Sequence, residues 1–207
     1  MFRKKLIFSV DTKDLKPAIF CDRDGVLIKD CHYISNPNDV FILNGTKEIL
    51  KLAKSLNWHF IIITNQSGIE RGMFSWLDYD KVTKKMLSLF EDEKLISGIY
   101  ANGFGPDSKD SWRKPNIGMI KEAALDFNID MQKSILIGDR LTDLIAGYKA
   151  SIKKLIHVKT GHGKKEIKSI EKFFSNNLDK ASRNKPKLFF LNDISEINTE
   201  LLLEDLT

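Results

Sequence analysis

AIFCDRDGVLIKD, residues 18–30, starts as a short apolar run and turns at once into two aspartates, Asp22 and Asp24, with Arg23 between them and Gly25 directly after. A brief, unbroken apolar stretch closed by polar residues and glycine is the pattern of a strand covered on both faces. In open α/β sheets, ligands collect at the carboxyl ends of such strands. Two carboxylates at that position mark a candidate site as well as a strand.

Strand and helix patterns alternate outward from this stretch. Residues 44–56 have apolar positions Ile49, Leu50, Leu52, Ala53 and Leu56, a helical spacing, with Gly45-Thr46 as a helix start. WHFIIIT (58–64) is β-branched and aromatic and predicts a central strand. An amphipathic helix is expected over 77–94, a strand within 98–104, a helix over 116–128 after Pro115, a strand at 134–138 and a helix at 141–150. Strands at 154–158 and 188–191 and a final helix at 194–203 complete the series, while 175–187 reads as a surface loop or frayed insertion. This order predicts an α/β fold: a three-layer αβα, doubly wound, mostly parallel sheet. One domain is expected over residues 1–207, with its core at about 17–165 and a basic C-terminal segment, 165–207, completing it. No large cap domain is inserted between Gly25 and Thr64, or between Thr64 and Lys114.

Composition narrows the class. No apolar run approaches the roughly 20 residues of a membrane span, and MFRKKLIFSV reaches Asp11 too early for a signal peptide. The two cysteines, Cys21 and Cys31, fit a reducing, cytoplasmic setting better than a disulfide framework. The net charge is +5, and residues 152–187 concentrate it, with eleven Lys/Arg against three acids. That segment is expected to be a solvated lysine-rich face; a patch attracting anionic substrates or nucleic acid is the alternative. Trp58, Trp76 and Trp112 lack the close spacing with basic residues of a base-stacking platform and are expected to be packing residues. Neither nucleic acid nor a membrane is an expected partner, and the chain is expected to be a monomer or weak homo-oligomer.

The predicted strand ends bring together Asp22, Asp24, Thr64, Asn65 and Asp139, with Asp143 one helical turn further on and Lys114 in the loop after the third strand. Crowded carboxylates repel unless a cation lies among them, and hard oxygen ligands suit Mg²⁺. A cation, a lysine and a hydroxyl together make a receptor for a phosphoryl group. An aspartate can attack phosphorus, and a second can serve the leaving oxygen as acid and later activate water. Gly25 permits the tight turn that this needs.

Four motifs in order, DRDGV (22–26), ITN (63–65), Lys114 in WRKP and GDRLTD (138–143), resemble those of the haloacid dehalogenase superfamily of phosphohydrolases. The resemblance implies Asp22 as nucleophile, Asp24 as acid/base, and Thr64 and Lys114 as ligands of the phosphoryl oxygens. It also implies Mg²⁺ at Asp22, Asp24 and Asp139. Asp143 is an indirect metal ligand by the same analogy, or else a helix-surface carboxylate.

TNQSGIERGMF (64–74), RKPNIGM (113–119) and DRDGVLIKDCHYI (22–34) are similar to the branch containing D-glycero-D-manno-heptose 1,7-bisphosphate and histidinol-phosphate phosphatases, over roughly residues 18–165. This implies a small phosphorylated sugar as substrate, with removal of the C7 phosphate of the heptose bisphosphate. Histidinol phosphate, another sugar phosphate, or a nucleic-acid 3′-phosphate remain alternatives, as does a non-enzymatic binding domain. By resemblance, Arg23, Asp30 through Tyr33, Asn65, Gln66, Ser67, Arg113 and Arg140 would line the substrate. Many members carry a cysteine-rich zinc loop before the RKP segment. Here YANGFGPDSKDSWRKP (100–115) has Ala101, Gly103, Asp110 and Trp112 in those places, so no zinc is expected there. His32, His59, His157 and His162 lack metal spacing. His59 and His157 are expected to be structural, His32 to lie near substrate, and TGHG (160–163) to be a plain glycine turn.

Overall fold

The computed structural model describes residues 2–8, 14–177 and 185–204. Seven strands form one sheet: β1 (Arg3–Ile7), β2 (Ala18–Cys21), β3 (His59–Asn65), β4 (Gly98–Asn102), β5 (Ile135–Gly138), β6 (Lys154–Val158) and β7 (Lys187–Leu191). Their order is β1-β4-β3-β2-β5-β6-β7, and every pairing is parallel except that of β1 with β4. The helices are α1 (Thr46–Ser55), α2 (Trp76–Leu89), α3 (Gly118–Phe127), α4 (Leu141–Lys149), α5 (Gly163–Asn177) and α6 (Thr199–Leu203).

Strand β2 explains the arrangement. All four of its residues are buried. Side chains alternate across a strand, so Ile19 and Cys21 join one core while Ala18 and Phe20 join the other. The first core takes Ile49, Leu50 and Ala53 of α1, Val82 and Met86 of α2, and Leu202 of α6. The second takes Met119, Ile120, Ala123 and Phe127 of α3, Leu144 and Ala146 of α4, and Ile170 and Phe174 of α5. A sheet apolar on both faces and covered on both by helices is the three-layer solution. The chain moves from β2 to β3 and β4 on one side and then to β5, β6 and β7 on the other. A crevice opens at the carboxyl ends of the central strands where the direction reverses.

The structure departs from the sequence reading in a few elements. Strand β1 was not expected. Its burial alternates exposed and half-buried, and at the antiparallel edge a charged outward row needs no continuous apolar run. Helix α5 was also missed, because its exposed Lys164, Lys165, Lys168 and Lys172 hide an apolar face carried by Ile170 and Phe174. It occupies the start of the stretch read as loose, of which 178–184 lie outside the described residues. The helix expected over 77–94 ends at Leu89, and a separate 3₁₀ turn follows at Glu93–Leu95. The last helix is divided likewise into a turn, Ile194–Glu196, and the short α6. No helix among the described residues is long and apolar enough to cross a membrane.

Candidate active site

The ladder between β2 and β5 carries one step past the strand: the Asp22 N–H donates to Ile137 O at 3.0 Å. This fixes Asp22 at the sheet's carboxyl edge beside Asp139, which follows β5. The turn after Asp24 then passes very close to Asp139. Gly25 has φ of 85°, and a Cβ there would lie 2.6 Å from Asp139 Oδ2. Gly161, also at positive φ, closes on Asp139 from the other side. Only glycine supplies both the left-handed backbone and the missing carbon at these positions.

Helix α4 brings in Asp143, whose Oδ2 accepts from the Arg140 N–H at 3.0 Å and so caps the helix start. Asp22, Asp139 and Asp143 are all buried, and they can present one oxygen each within 4.8 Å of one another. Lys114 enters this group from the loop before α3. Its Nζ lies 2.9 Å from Asp22 Oδ1 and 2.8 Å from Asp143 Oδ1, and donates to Ile63 O at 2.8 Å. The three ammonium hydrogens thus have three partners. Lys114 is placed in turn by Asn65 at the end of β3. The Asn65 amide donates to Lys114 O at 3.1 Å and accepts from Lys114 N at 3.2 Å.

The electrostatics follow from burial. Burial raises Asp22 to about 6, against the pull of Lys114, with Asp143 and Asp24 adding to the rise. Asp139 is raised to about 8, first by burial and then by Asp143 and Asp22. Burial works against the Lys114 charge, but Asp143 and Asp22 outweigh it and raise the lysine above its ordinary value. Asp139 Oδ2 accepts from His162 N at 2.7 Å, whereas Oδ1 is buried with no hydrogen-bond partner. Three buried carboxylates with an unsatisfied oxygen fit a hard divalent cation with oxygen preference, such as Mg²⁺.

Asp24 stands apart from that cluster. Its carboxylate receives the Nε and Nη2 of Arg23, with Nη2 at 2.9 Å from Oδ2, and Gln66 Nε2 donates to the same oxygen at 2.8 Å. Gln66 also donates to Thr64 Oγ1 at 2.7 Å and accepts from Arg23 Nη2 at 3.1 Å. The Arg23 guanidinium lies 5.2 Å from the centre of the Tyr79 ring. Arg23, expected to touch substrate, is therefore a fully buried clamp on Asp24. Asn65 and Gln66 line the cavity but spend their amides on Lys114 and on Asp24 with Thr64. Asp143, expected as an indirect ligand or a helix-surface carboxylate, is buried beside Asp22 and Asp139, while the Asp24 carboxylate does not join that group.

A cavity of about 430 Å³ opens above these groups. Asp22, Asp24, Thr64, Lys114 and Asp143 lie at its buried end, and Asp30, His32, Tyr33, Ser67, Arg113 and Arg140 also line it, whereas Cys31, expected with them, does not. Ile34, Arg71, Pro106, Thr142 and His162 also line it and were missed, and two of these, Arg71 and His162, bring ionisable groups. Arg71, whose Nη1 donates to Tyr33 Oη at 2.6 Å, carries no motif signal of its own beyond lying in GIERGMF. His162 reaches Asp30 Oδ2 at 2.9 Å through Nδ1, so TGHG is more than a plain turn. Burial lowers the Arg113 guanidinium, and Arg71 and Arg140 lower it further. Arg71, Arg113 and Arg140 thus gather positive charge in one cavity, a character that suits an anion. His59 and His157 are structural, as expected: both are buried, with ring nitrogens 3.0 Å from Ser97 Oγ and Gly163 O. The loop before Lys114 is fastened by Asp110, which accepts from Trp112 N at 2.8 Å, and by Trp112 packing on Tyr100.

Comparison with known proteins places this geometry in context. Residues 17–191 match the family model described as polynucleotide kinase 3 phosphatase. The chain is 38% identical over 138 residues to a D-glycero-beta-D-manno-heptose-1,7-bisphosphate 7-phosphatase of Helicobacter pylori, covering 66% of this chain and 80% of that one. It is 37% identical over 143 residues to a D-glycero-alpha-D-manno-heptose-1,7-bisphosphate 7-phosphatase of Burkholderia mallei, covering 65% and 76%. The D,D-heptose 1,7-bisphosphate phosphatase of B. bronchiseptica, solved with magnesium and phosphate, superposes with a TM-score of 0.74 at 25% identity, over 91% of this chain and 99% of that one.

Proposed function

Because the chain belongs to the polynucleotide kinase 3 phosphatase family, within the haloacid dehalogenase-like phosphatases, we propose that it hydrolyses a phosphomonoester through an aspartyl-phosphate, with a heptose 1,7-bisphosphate as substrate, the C7 phosphoryl group being transferred and the C7 sugar oxygen leaving. The observation that carries this reading is the pairing of two anion receptors in one cavity. Lys114 and the carboxylate cluster lie at the floor, and Arg71, Arg113 and Arg140 line the walls. A bisphosphate uses both. A monophosphate uses only one of them.

Asp22, Asp139 and Asp143 would hold Mg²⁺, which when bound neutralises the crowded carboxylates and the incoming phosphoryl oxygens. Lys114 holds Oδ1 of Asp22 and leaves Oδ2 as the attacking oxygen. Thr64 receives a phosphoryl oxygen, and Lys114 receives another by turning one of its three hydrogens away from its present partners. Asp24, held in direction by Arg23 and Gln66, gives a proton to the leaving sugar oxygen and later takes one from the water that cleaves the acyl phosphate. Asn65 acts one step back, by setting the height of Lys114. The proposal includes a cytoplasmic setting, in keeping with two free cysteines, and no structural zinc in the loop before Lys114.

Among the described lysines of the basic segment, Lys164, Lys165, Lys168, Lys172, Lys185 and Lys187 are exposed and support a solvated face, whereas Lys154 does not. None of them lines the cavity, and Lys154 is buried with its Nζ donating to Leu202 O at 3.2 Å. A phosphate-release screen tests the reading. It compares both anomers of heptose 1,7-bisphosphate with histidinol phosphate and a 3′-phosphorylated oligonucleotide. The heptose bisphosphate should have the highest kcat/KM. Preference for the oligonucleotide, with salt-sensitive binding, would replace this substrate with a nucleic-acid end.

A further inference from the structure

Three side chains with metal-ligating atoms meet at the mouth of the cavity, apart from the buried carboxylates. Asp30 and His32 come from the loop after Gly25, and His162 from the turn after β6. Each can offer one ligand atom, and these atoms all lie within 4.8 Å of one another. From this juxtaposition we infer a second divalent-cation site, made by Asp30, His32 and His162, that takes a borderline ion such as Zn²⁺ and opposes substrate binding when filled.

The donor set decides the class of ion. Two imidazoles and one carboxylate suit Zn²⁺, Co²⁺ or Ni²⁺, whereas Mg²⁺ favours oxygen ligands and water. The neighbouring Asp22, Asp139 and Asp143 have the opposite character. One cavity therefore carries two sites of different preference, one at its floor and one at its mouth.

The geometry is partly formed already. Asp30 Oδ2 and His162 Nδ1 are 2.9 Å apart. The His32 N–H donates to Asp30 Oδ1 at 2.9 Å, which ties the two loop ligands together. His162 is held by its own N–H on Asp139 Oδ2. Zinc at about 2.0–2.2 Å from each donor needs the donors roughly 3.3 Å apart. His32 must therefore turn inward from its present position, where Nδ1 is 3.8 Å from Asp30 Oδ1. Its side chain is 81% exposed, so that rotation meets little packing.

Arg140 links this site to catalysis. Its Nη2 lies 3.0 Å from both ring nitrogens of His162. A cation on Nδ1 repels the guanidinium and drives it away from the cavity wall. Zinc then removes one of the three arginines that receive the anion, and bound substrate, by holding Arg140, disfavours zinc. The two ligands are linked negatively.

The test is zinc binding itself, so it stands whatever the substrate proves to be. The full chain is titrated with Zn²⁺ by calorimetry under saturating Mg²⁺. Co²⁺ absorption serves as the second readout, since histidine ligation at low coordination number gives stronger visible bands than an all-oxygen site. One equivalent of Zn²⁺ is expected. His32→Ala and His162→Ala should each weaken it at least about tenfold, and Asp22→Asn, which touches none of the three ligands, should leave it in place. Circular dichroism confirms that the variants are folded; His32, on an exposed loop, is the safer of the two. Inorganic phosphate at saturating concentration should weaken zinc binding in the wild type. An equivalent that persists in His32→Ala and disappears in Asp22→Asn belongs to the carboxylate cluster and overturns the proposal. So does the absence of any zinc binding under Mg²⁺.

Discussion

Lys114 Nζ stands 2.8 Å from Asp143 Oδ1 and 2.9 Å from Asp22 Oδ1, one ammonium between two buried carboxylates. It is the cation already present among them, and in the proposed reaction it also turns one hydrogen to the phosphoryl group. Lys114→Met removes both functions. The two carboxylates then face one another without compensation in a buried site, and the variant should lose thermal stability when metal-free. With Mg²⁺ present, kcat should fall by about 10³-fold or more, the order of loss for a fixed electrostatic donor. Lys114→Arg should not restore it, because the side chain is only 3% exposed and the larger guanidinium has no room. Steady-state kinetics and melting curves check both effects. Near-wild-type kcat in Lys114→Met would remove this lysine from the chemistry.

Asp22→Asn tests the nucleophile. The amide retains shape and removes the attacking oxyanion, so turnover should vanish and no covalent phosphoryl-enzyme should be trapped by acid quench. Stability should move the other way. Burial disfavours the charged form of Asp22, so a neutral amide should leave the metal-free melting temperature equal or higher at neutral pH. Residual turnover above contamination would reassign the nucleophile.

Much of this site was legible in the sequence because its positions are strand ends. The apolar run before Asp22, the β-branched run before Thr64 and the short run before Asp139 each fix a carboxyl edge, and topology brings the edges together. Direction was not legible. Arg23 and Asp24 are adjacent, and nothing in their spacing says that the arginine turns inward onto Tyr79 and takes the carboxylate with it. Asp143 looked ambiguous because its burial depends on α4 packing down on Gly138, where a Cβ would lie 2.6 Å from Asp143 Oδ2. Arg71 and His162 reach the cavity through loops, whose course no periodicity records. In the fold, β1 escaped because charged residues stand on both its exposed and half-buried rows, and α5 because its exposed lysines mask the apolar face of Ile170 and Phe174.

Metal binding should depend on pH with a definite sign. Asp22 and Asp139 are raised from 3.8 to about 6 and about 8. The folded, metal-free protein therefore binds protons more tightly than the unfolded chain. The stability that these neutral carboxyls contribute is present below their unfolded value and is lost as pH rises through about 6 and then about 8. The metal-free melting temperature should decline across that window. Mg²⁺ competes with the same protons, so the rise in melting temperature that it produces should grow as pH increases. Melting curves at fixed Mg²⁺ across the series provide the check. A magnesium increment independent of pH would separate the cation from these carboxylates.

Arg23→Met tests whether Asp24 needs its clamp. The guanidinium is fully buried and holds both carboxylate oxygens, while Gln66 contributes one bond to the same group. Methionine fills much of the volume under Tyr79 without charge. The Asp24 side chain is 22% exposed, so it can recover water when the clamp is removed, and the fold should survive with a modest loss of stability. Catalysis should suffer more. An acid/base group released into several rotamers loses its alignment with the leaving oxygen, and kcat should drop by about 10²-fold. The loss should be large for a sugar phosphate, whose leaving alkoxide needs the proton, and small for an aryl phosphate, whose phenolate does not. That contrast separates a role in positioning from a role in folding. Equal losses on the two substrates would show that Arg23 serves the scaffold alone.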